Sequence, residues 1–299
     1  MNDHDACIIL NMLNGIGGLS AWNRYVSPSG ALLEAAGGLS GIFGMDVADI
    51  VRLGGIAPGI AELIPRWREF ADLGRELELA AREKAAIVCR TDGDYPASLR
   101  ELADPPLCIY VQGTLPAGIG TGNSVAIVGT RTPTDRGVRM ARRFAEEAAR
   151  GGWTTVSGLA RGIDTAAHQA TLDASGRTVA IPGSGLANVY PPENRELARA
   201  ITDAGGAVVS EYPMDTGASR STLPRRNRVI AALSRCTLVV EAGKKSGALR
   251  TAKYARARGC RVFAVPGAED DPLAMGSNEL IRQQGAKPVT DFGDMLDGI

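Results

Sequence analysis

The sequence predicts an α/β fold: an extended Rossmann-like parallel sheet with helices on both faces, preceded by a small helical N-terminal domain. Three observations carry this. From residue 124 onward, short apolar runs bounded by glycine alternate with helical patterns of about 10–15 residues, as in consecutive βαβ units. Glycine is abundant, 37 of 299 residues, and aromatics are scarce at 5%, which fits many tight strand–helix turns better than an aromatic-filled sandwich. Before residue 124 the apolar residues recur at helical spacing between glycine turns.

In chain order, residues 1–85 read as the helical domain. Its apolar positions are Ile8-Ile9-Leu10, Met12-Leu13, Trp22 and Tyr25-Val26. Turns fall at Asn14-Gly15-Ile16-Gly17-Gly18, Gly37-Gly38 and Gly54-Gly55-Ile56, and a longer charged helix runs from Leu63 to Lys84. Residues 86–123 read as a connecting segment and linker. They hold two strand-like runs, 86–89 and 107–111, around the turn-rich Asp92-Gly93-Asp94-Tyr95-Pro96, then a loop-like stretch, 113–123. Residues 124–299 form the Rossmann-like domain, with strands expected at 124–129, 154–158, 178–183, 207–212, 236–243 and 261–267, and a weaker one at 288–292.

The residues that follow each strand carry the chemistry. They are Gly129-Thr130-Arg131, then Ser157-Gly158 with Arg161, then Gly183-Ser184-Gly185, then Arg225-Arg226-Asn227-Arg228 opening a helix, then Ser246-Gly247 after Lys244-Lys245. Small residues let a ligand reach backbone N–H groups, and helix N-termini favour anions. Arginines beside them add bidentate phosphate contacts. Each piece has a plainer reading: a glycine turn serves backbone geometry, Arg131 is a surface charge, and the arginine run is a solvated helix face. Their recurrence at one sheet edge, where ligands bind in open α/β sheets, favours a phosphate-binding cleft.

Other chemistries find little support. His168, the only histidine after residue 124, reads as a core or capping residue, and Asp164 as a turn-orienting one. No GxSxG, Walker A or zinc signature occurs, and GxGxxG is missing after the first strand of the regular part, which counts against NAD. The five cysteines (Cys7, Cys89, Cys108, Cys236, Cys260) are scattered and lack a CxxC pair, so they read as core residues in a reducing compartment. No metal or cofactor is expected. No signal-peptide pattern or span-length apolar run is present, and a cytoplasmic location is expected.

The order of the motifs resembles the DNA-processing protein A (DprA/Smf) family. They are GTR, SGLARGIDTAAH, GSGLANVYPPEN, SEYP, LPRRNRVIAALS, VVEAGKKSGALRTA and VPG…GSNELIRQQGA, with DYPASLRELADPPLCIYVQG upstream. The resemblance implies a protein, not an enzyme, that binds single-stranded DNA during natural transformation or recombination. Such a protein protects the incoming strand, loads a RecA-type recombinase and forms a homodimer. The family's phosphate-binding Gly-Ser/Ala-Arg matches Gly129-Thr130-Arg131, with threonine as a bulkier middle residue that keeps a hydroxyl. The family's basic residue before Arg-Asn-Arg matches Arg225. Some members carry a basic residue after the Gly183–Gly185 glycines, where Ala187 and Asn188 stand here. The resemblance makes the N-terminal domain helix-hairpin-helix (SAM-like); NGIGG and GGIAPGIAE match its turns, but the region is acidic. The chain ends at DFGDMLDGI, so the family's C-terminal winged-helix module is expected to be absent.

Charge distribution agrees with a polyanion partner. The chain holds 33 basic and 33 acidic residues, but Arg131 to Arg261 holds 22 basic against 11 acidic, and 124–299 holds 24 against 18. Seven aromatics are available for base stacking in this part: Phe144, Trp153, Tyr190, Tyr212, Tyr254, Phe263 and Phe292. Two rivals stay open. One is a nucleotide-processing enzyme like the cytokinin-activating phosphoribohydrolases, whose Gly-Gly-x-Gly-Thr-x-x-Glu glutamate is missing here but for which Glu241 or Asp164 offers a carboxylate. The other is a scaffold without DNA affinity.

Overall fold

The computed structural model describes residues 1–15, 28–54 and 56–298. Ile16–Gly18, Trp22, Tyr25, Val26 and Gly55, on which part of the N-terminal reading rests, lie outside the described residues.

The N-terminal part contains α1 (Asp3–Asn14), α2 (Gly30–Ala36), α3 (Val47–Leu53), α4 (Pro58–Ala61) and α5 (Leu73–Arg82). The long helix expected from Leu63 begins only at Leu73. Pro65 disfavours continuous helix, and Asp72 starts α5 by accepting a hydrogen bond from Arg75 N–H at 3.0 Å. Next come β1 (Ala85–Cys89), α6 (Ala97–Arg100) and β2 (Cys108–Gly113). The regular part follows as β3 (Ser124–Val128), α7 (Asp135–Arg150), β4 (Thr154–Ser157), α8 (Ile163–Asp173), β5 (Thr178–Ala180), α9 (Arg195–Asp203) and β6 (Ala207–Ser210). It continues with α10 (Thr222–Ala232), β7 (Cys236–Val239), α11 (Ala248–Ala257), β8 (Arg261–Ala264), α12 (Met275–Gln284), β9 (Lys287–Pro288) and α13 (Phe292–Leu296).

Among the described residues all nine strands lie in one sheet, ordered β1-β2-β6-β5-β4-β3-β7-β8-β9. β3 to β9 pair in parallel, whereas β1 and β2 are antiparallel to each other and β2 is antiparallel to β6. The stretch read as a connecting segment therefore contributes two strands to the sheet. Cys108, Ile109 and Tyr110 of β2 are buried on both faces, as a covered strand requires.

Alternation along each strand sorts side chains between two layers. Val125 and Ile127 meet Phe144 of α7 and Ala167 of α8, together with Trp153 and Phe292. Ala126 and Val128 meet Val229 of α10, Ala252 of α11 and Leu280 of α12. The apolar face of α1, with Ile8, Ile9, Leu10 and Leu13, shares a core with Ile201 of α9 and Val208 of β6, so the N-terminal helices pack on the sheet. Among the described residues no helix is long and apolar enough to cross a membrane.

The strand order positions the site. From β3 the chain steps outward through β4, β5 and β6, then returns to lay β7 on the other side of β3. At such a reversal the loops after the two central strands diverge and leave a crevice at their carboxyl ends.

His168 on α8 is fully buried. Thr178 Oγ1 donates to Thr155 O at 2.8 Å, so at 2.7 Å it accepts from His168 Nδ1–H. Nε2 has no partner among the described residues. Burial, then the nearby Arg226 charge, pushes the imidazole down to about 3 from an ordinary value of 6.5. The folded state thus refuses a proton that the unfolded chain accepts, and stability falls as pH drops from about 6.5 toward 3. The loss is about 1.4 kcal/mol per pH unit. In urea titrations between pH 6 and 4, His168→Leu should show a stability slope shallower by about one proton than the parent. Equal slopes would refute this.

Candidate phosphate-binding cleft

The crevice between the β3 and β7 loops is a cleft of about 580 Å³. Of the fifteen residues selected from sequence, Gly129, Thr130, Arg131, Arg226, Asn227, Ser246 and Gly247 line it. Gly158 and Arg161 line a small adjoining recess with Tyr190 and Pro191, which Arg131 and Arg226 also border.

Tight packing explains the local sequence. Thr130 N–H donates to Glu241 O at 2.7 Å and Thr130 O accepts from Ile163 N–H at 3.2 Å, stitching the β3 loop to the end of β7 and the start of α8. A Cβ on Gly129 would lie 2.6 Å from Ile163 Cγ1 and 2.9 Å from Glu241 O, so only glycine fits. Gly162, at φ +77, combines a left-handed backbone with a close approach to Thr130 O. This scaffold holds Arg131 exposed at the cleft mouth. Asn227 Nδ2 donates to Gly247 O at 3.0 Å, fixing α10 to the start of α11.

Arg226 forms the floor. Its side chain donates to Gly158 O and Ile181 O, and a Cβ on Gly158 would lie 2.6 Å from its guanidinium carbon. Burial lowers the guanidinium to about 10, still charged at neutral pH. Asp164 stands beside it, accepting from Gly158 N–H at 3.0 Å and Ala160 N–H at 3.4 Å. Burial raises this carboxyl, and the Arg226 charge and the two N–H groups draw it back.

Six selected residues do not reach the cleft. Ser157 is buried and donates to Ile127 O at 2.6 Å. Ser184 is buried, its hydroxyl accepting from Tyr190 N–H at 3.2 Å and its carbonyl accepting from Ser210 Oγ at 2.7 Å. Gly183 and Gly185 are packing glycines: a Cβ would lie 2.8 Å from Leu223 Cδ2 in one case and 2.1 Å from Pro213 O in the other. Arg225 and Arg228 leave α10 on another side and pair with Asp104 and Glu211. Even at Gly158 the backbone N–H is taken by Asp164. Arg161 is exposed and ion-paired with Glu193.

The structure adds cations that residue selection passed over. Lys244, Lys245 and Arg250 line the cleft opposite Arg131, and all four are exposed and ion-paired with no described residue. Their signal was present, since Lys244-Lys245 immediately precede the selected Ser246-Gly247; weight placed on small residues hid it. Glu241 is unavailable as a catalytic carboxylate, because it accepts from Thr134 N–H at 2.8 Å and Thr134 Oγ1 at 2.7 Å and so anchors the start of α7. Of the seven aromatics, Phe144, Trp153, Tyr212, Phe263 and Phe292 are buried and Tyr254 is half-buried, leaving Tyr190 exposed beside the recess.

Residues 86–299 match the family of DNA recombination-mediator protein A. Protein Smf of Synechocystis is 43% identical over 233 residues, covering 73% of this chain and 58% of its own length. DNA processing protein DprA of Bacillus subtilis is 39% identical over 203 residues, covering 68% of this chain and 67% of its own. The chain thus spans little more than half to two thirds of these relatives. Among solved structures, DNA processing protein A of Streptococcus pneumoniae superposes with a TM-score of 0.77 at 30% identity, covering 99% of this chain and 98% of that one. DNA processing protein A of Helicobacter pylori, described for its single-stranded DNA binding mode, gives 0.63 at 26% identity, covering 72% and 95%.

Proposed function

Because the chain belongs to the DNA recombination-mediator protein A family, we propose that it binds single-stranded DNA along the β3–β7 cleft, protects it, and loads a RecA-type recombinase during natural transformation or recombination. The observation that carries the reading is the convergence of Arg131, Lys244, Lys245 and Arg250, exposed and without described ion-pair partners, on a cleft at the sheet's reversal point. The phosphate backbone runs past these cations, with Arg226 providing fixed positive potential from below. Tyr190, beside the recess, offers an exposed ring for stacking one base in a sequence-tolerant way. The role is binding, not bond-breaking: Glu241 is held by Thr134, and Asp164 by two backbone N–H groups. The recombinase partner, the homodimer and a cytoplasmic location complete this reading and rest on family resemblance.

The test is an anisotropy titration of a labelled oligonucleotide at two or more salt concentrations. With three to four phosphates neutralised, log K against log salt should fall with a slope of roughly −2 to −3. Absent binding would leave the scaffold reading. Release of free base from nucleoside monophosphates would favour the enzyme.

A further inference from the structure

The five cysteines are scattered in sequence, yet three of them converge. Cys89, the last residue of β1, lies directly opposite Cys108 of β2 in the antiparallel register. Cys7, on the helix α1 that packs against this hairpin, donates its thiol to Leu107 O at 3.0 Å, and the Cys89 thiol lies 3.8 Å from His4 O. Two further donors meet Cys89 at the surface. His4, one turn before Cys7 on α1, places Nε2 3.7 Å from Asp92 Oδ2, and Asp92 Oδ2 also accepts from Cys89 N–H at 2.8 Å. The ligand atoms of His4, Cys89 and Asp92 all lie within 4.8 Å of one another.

We propose that His4, Cys89 and Asp92, with water in the fourth position, form a binding site for a thiophilic divalent cation of the zinc class. Imidazole, thiolate and carboxylate are all donors that zinc takes, and three protein ligands with a water complete a tetrahedral site. Bonds of about 2.0–2.3 Å put neighbouring ligand atoms roughly 3.3–3.8 Å apart, so the three ligand atoms need to close by about 1.5 Å at most. The His4 ring is otherwise held weakly: its Nε2 lies 3.4 Å from Ile87 O, and its side chain is 43% exposed, leaving it free to turn toward the thiol. A bound cation takes Cys89 as the thiolate and releases its proton to solvent. The cation would staple α1 to the edge hairpin. β1 lies five strand positions from β3, roughly 24 Å away, so the site is independent of the phosphate cleft.

The full chain, reduced and freed of metal with a chelator, would be titrated with Co²⁺ as a spectroscopic stand-in. We expect one equivalent bound, with tetrahedral ligand-field absorption and a thiolate-to-cobalt charge-transfer band, both bleached by Zn²⁺. Cys89→Ser should lose the charge-transfer band. His4→Ala, a change at a half-buried surface position that should leave the fold intact, should weaken binding at least tenfold. Single-stranded DNA affinity should be the same with and without Zn²⁺. Absence of stoichiometric Co²⁺ and Zn²⁺ uptake by the parent, or uptake that His4→Ala leaves unchanged, would overturn the site.

Discussion

Arg131→Ala lowers affinity for single-stranded DNA roughly tenfold and makes the salt slope shallower by about 0.7, the contribution of one neutralised phosphate on a single strand. The Lys244→Ala/Lys245→Ala pair makes it shallower by about 1.4, twice that amount. These values follow from position. The β3 loop that carries Arg131 is fixed at Thr130 by two backbone hydrogen bonds, so the side chain projects from a rigid base and loses little order on binding. The lysines stand on the β7 loop across the cleft, so a strand bound there would be held from both sides. Each variant removes an exposed cation that pairs with no described residue, so folding stability should be unaffected. The measurement is an anisotropy titration across a salt series, with urea unfolding as the control. An Arg131→Ala protein whose affinity and slope match the parent would show that the cleft does not hold the backbone.

Much of the fold could be read directly from sequence. Runs such as Ser124–Val128 and Cys236–Val239 are mostly apolar and buried throughout because both faces are covered, and Gly129 follows the first where loops must pass closely. The sequence also identified which loops gather at the sheet edge. Which side chains open into the cleft was not legible. Ser157 and Gly158 look like a phosphate cradle, yet Ser157 Oγ is spent on Ile127 O and the Gly158 N–H on Asp164. A hydroxyl or amide reads the same in sequence whether it faces a ligand or a neighbour; the difference lies in contacts made thirty residues away by Ser157 and six away by Gly158. Charge behaved similarly. The basic excess between Arg131 and Arg261 spans most of the loops that line the cleft. Several of its arginines nevertheless answer local acids, as Arg142 does Asp173, Arg143 does Glu147 and Arg258 does Glu101. The cysteines were obscured for the same reason, since Cys7, Cys89 and Cys108 meet only through helix packing and strand register.

The arginine run at the start of α10 gives the sharpest separation between the two kinds of reading. Arg228→Met should lower folding stability by about 3–5 kcal/mol while leaving the DNA salt slope of the folded protein unchanged. Arg228 is 1% exposed; its Nε donates to Asp104 Oδ2 at 2.9 Å and its Nη2 to Glu211 Oε2 at 2.5 Å. Asp104 lies between α6 and β2 and Glu211 directly follows β6, so one side chain clamps the antiparallel extension, the central sheet and α10 together. Removing it leaves Glu211, only 2% exposed, facing Arg225 Nε at the longer distance of 3.7 Å. Most of the predicted cost is thus the burial of a carboxylate that has lost its shortest ion pair, not the net worth of the bridge. A paired change makes that distinction measurable. Arg228→Met with Glu211→Leu removes both charges at similar volume, and should recover much of the loss seen in Arg228→Met alone, a coupling readable in urea midpoints. If Arg228→Met instead kept its stability and lost about 0.7 from the salt slope, the guanidinium would be meeting phosphate, and the ion-pair cluster would not describe the folded protein.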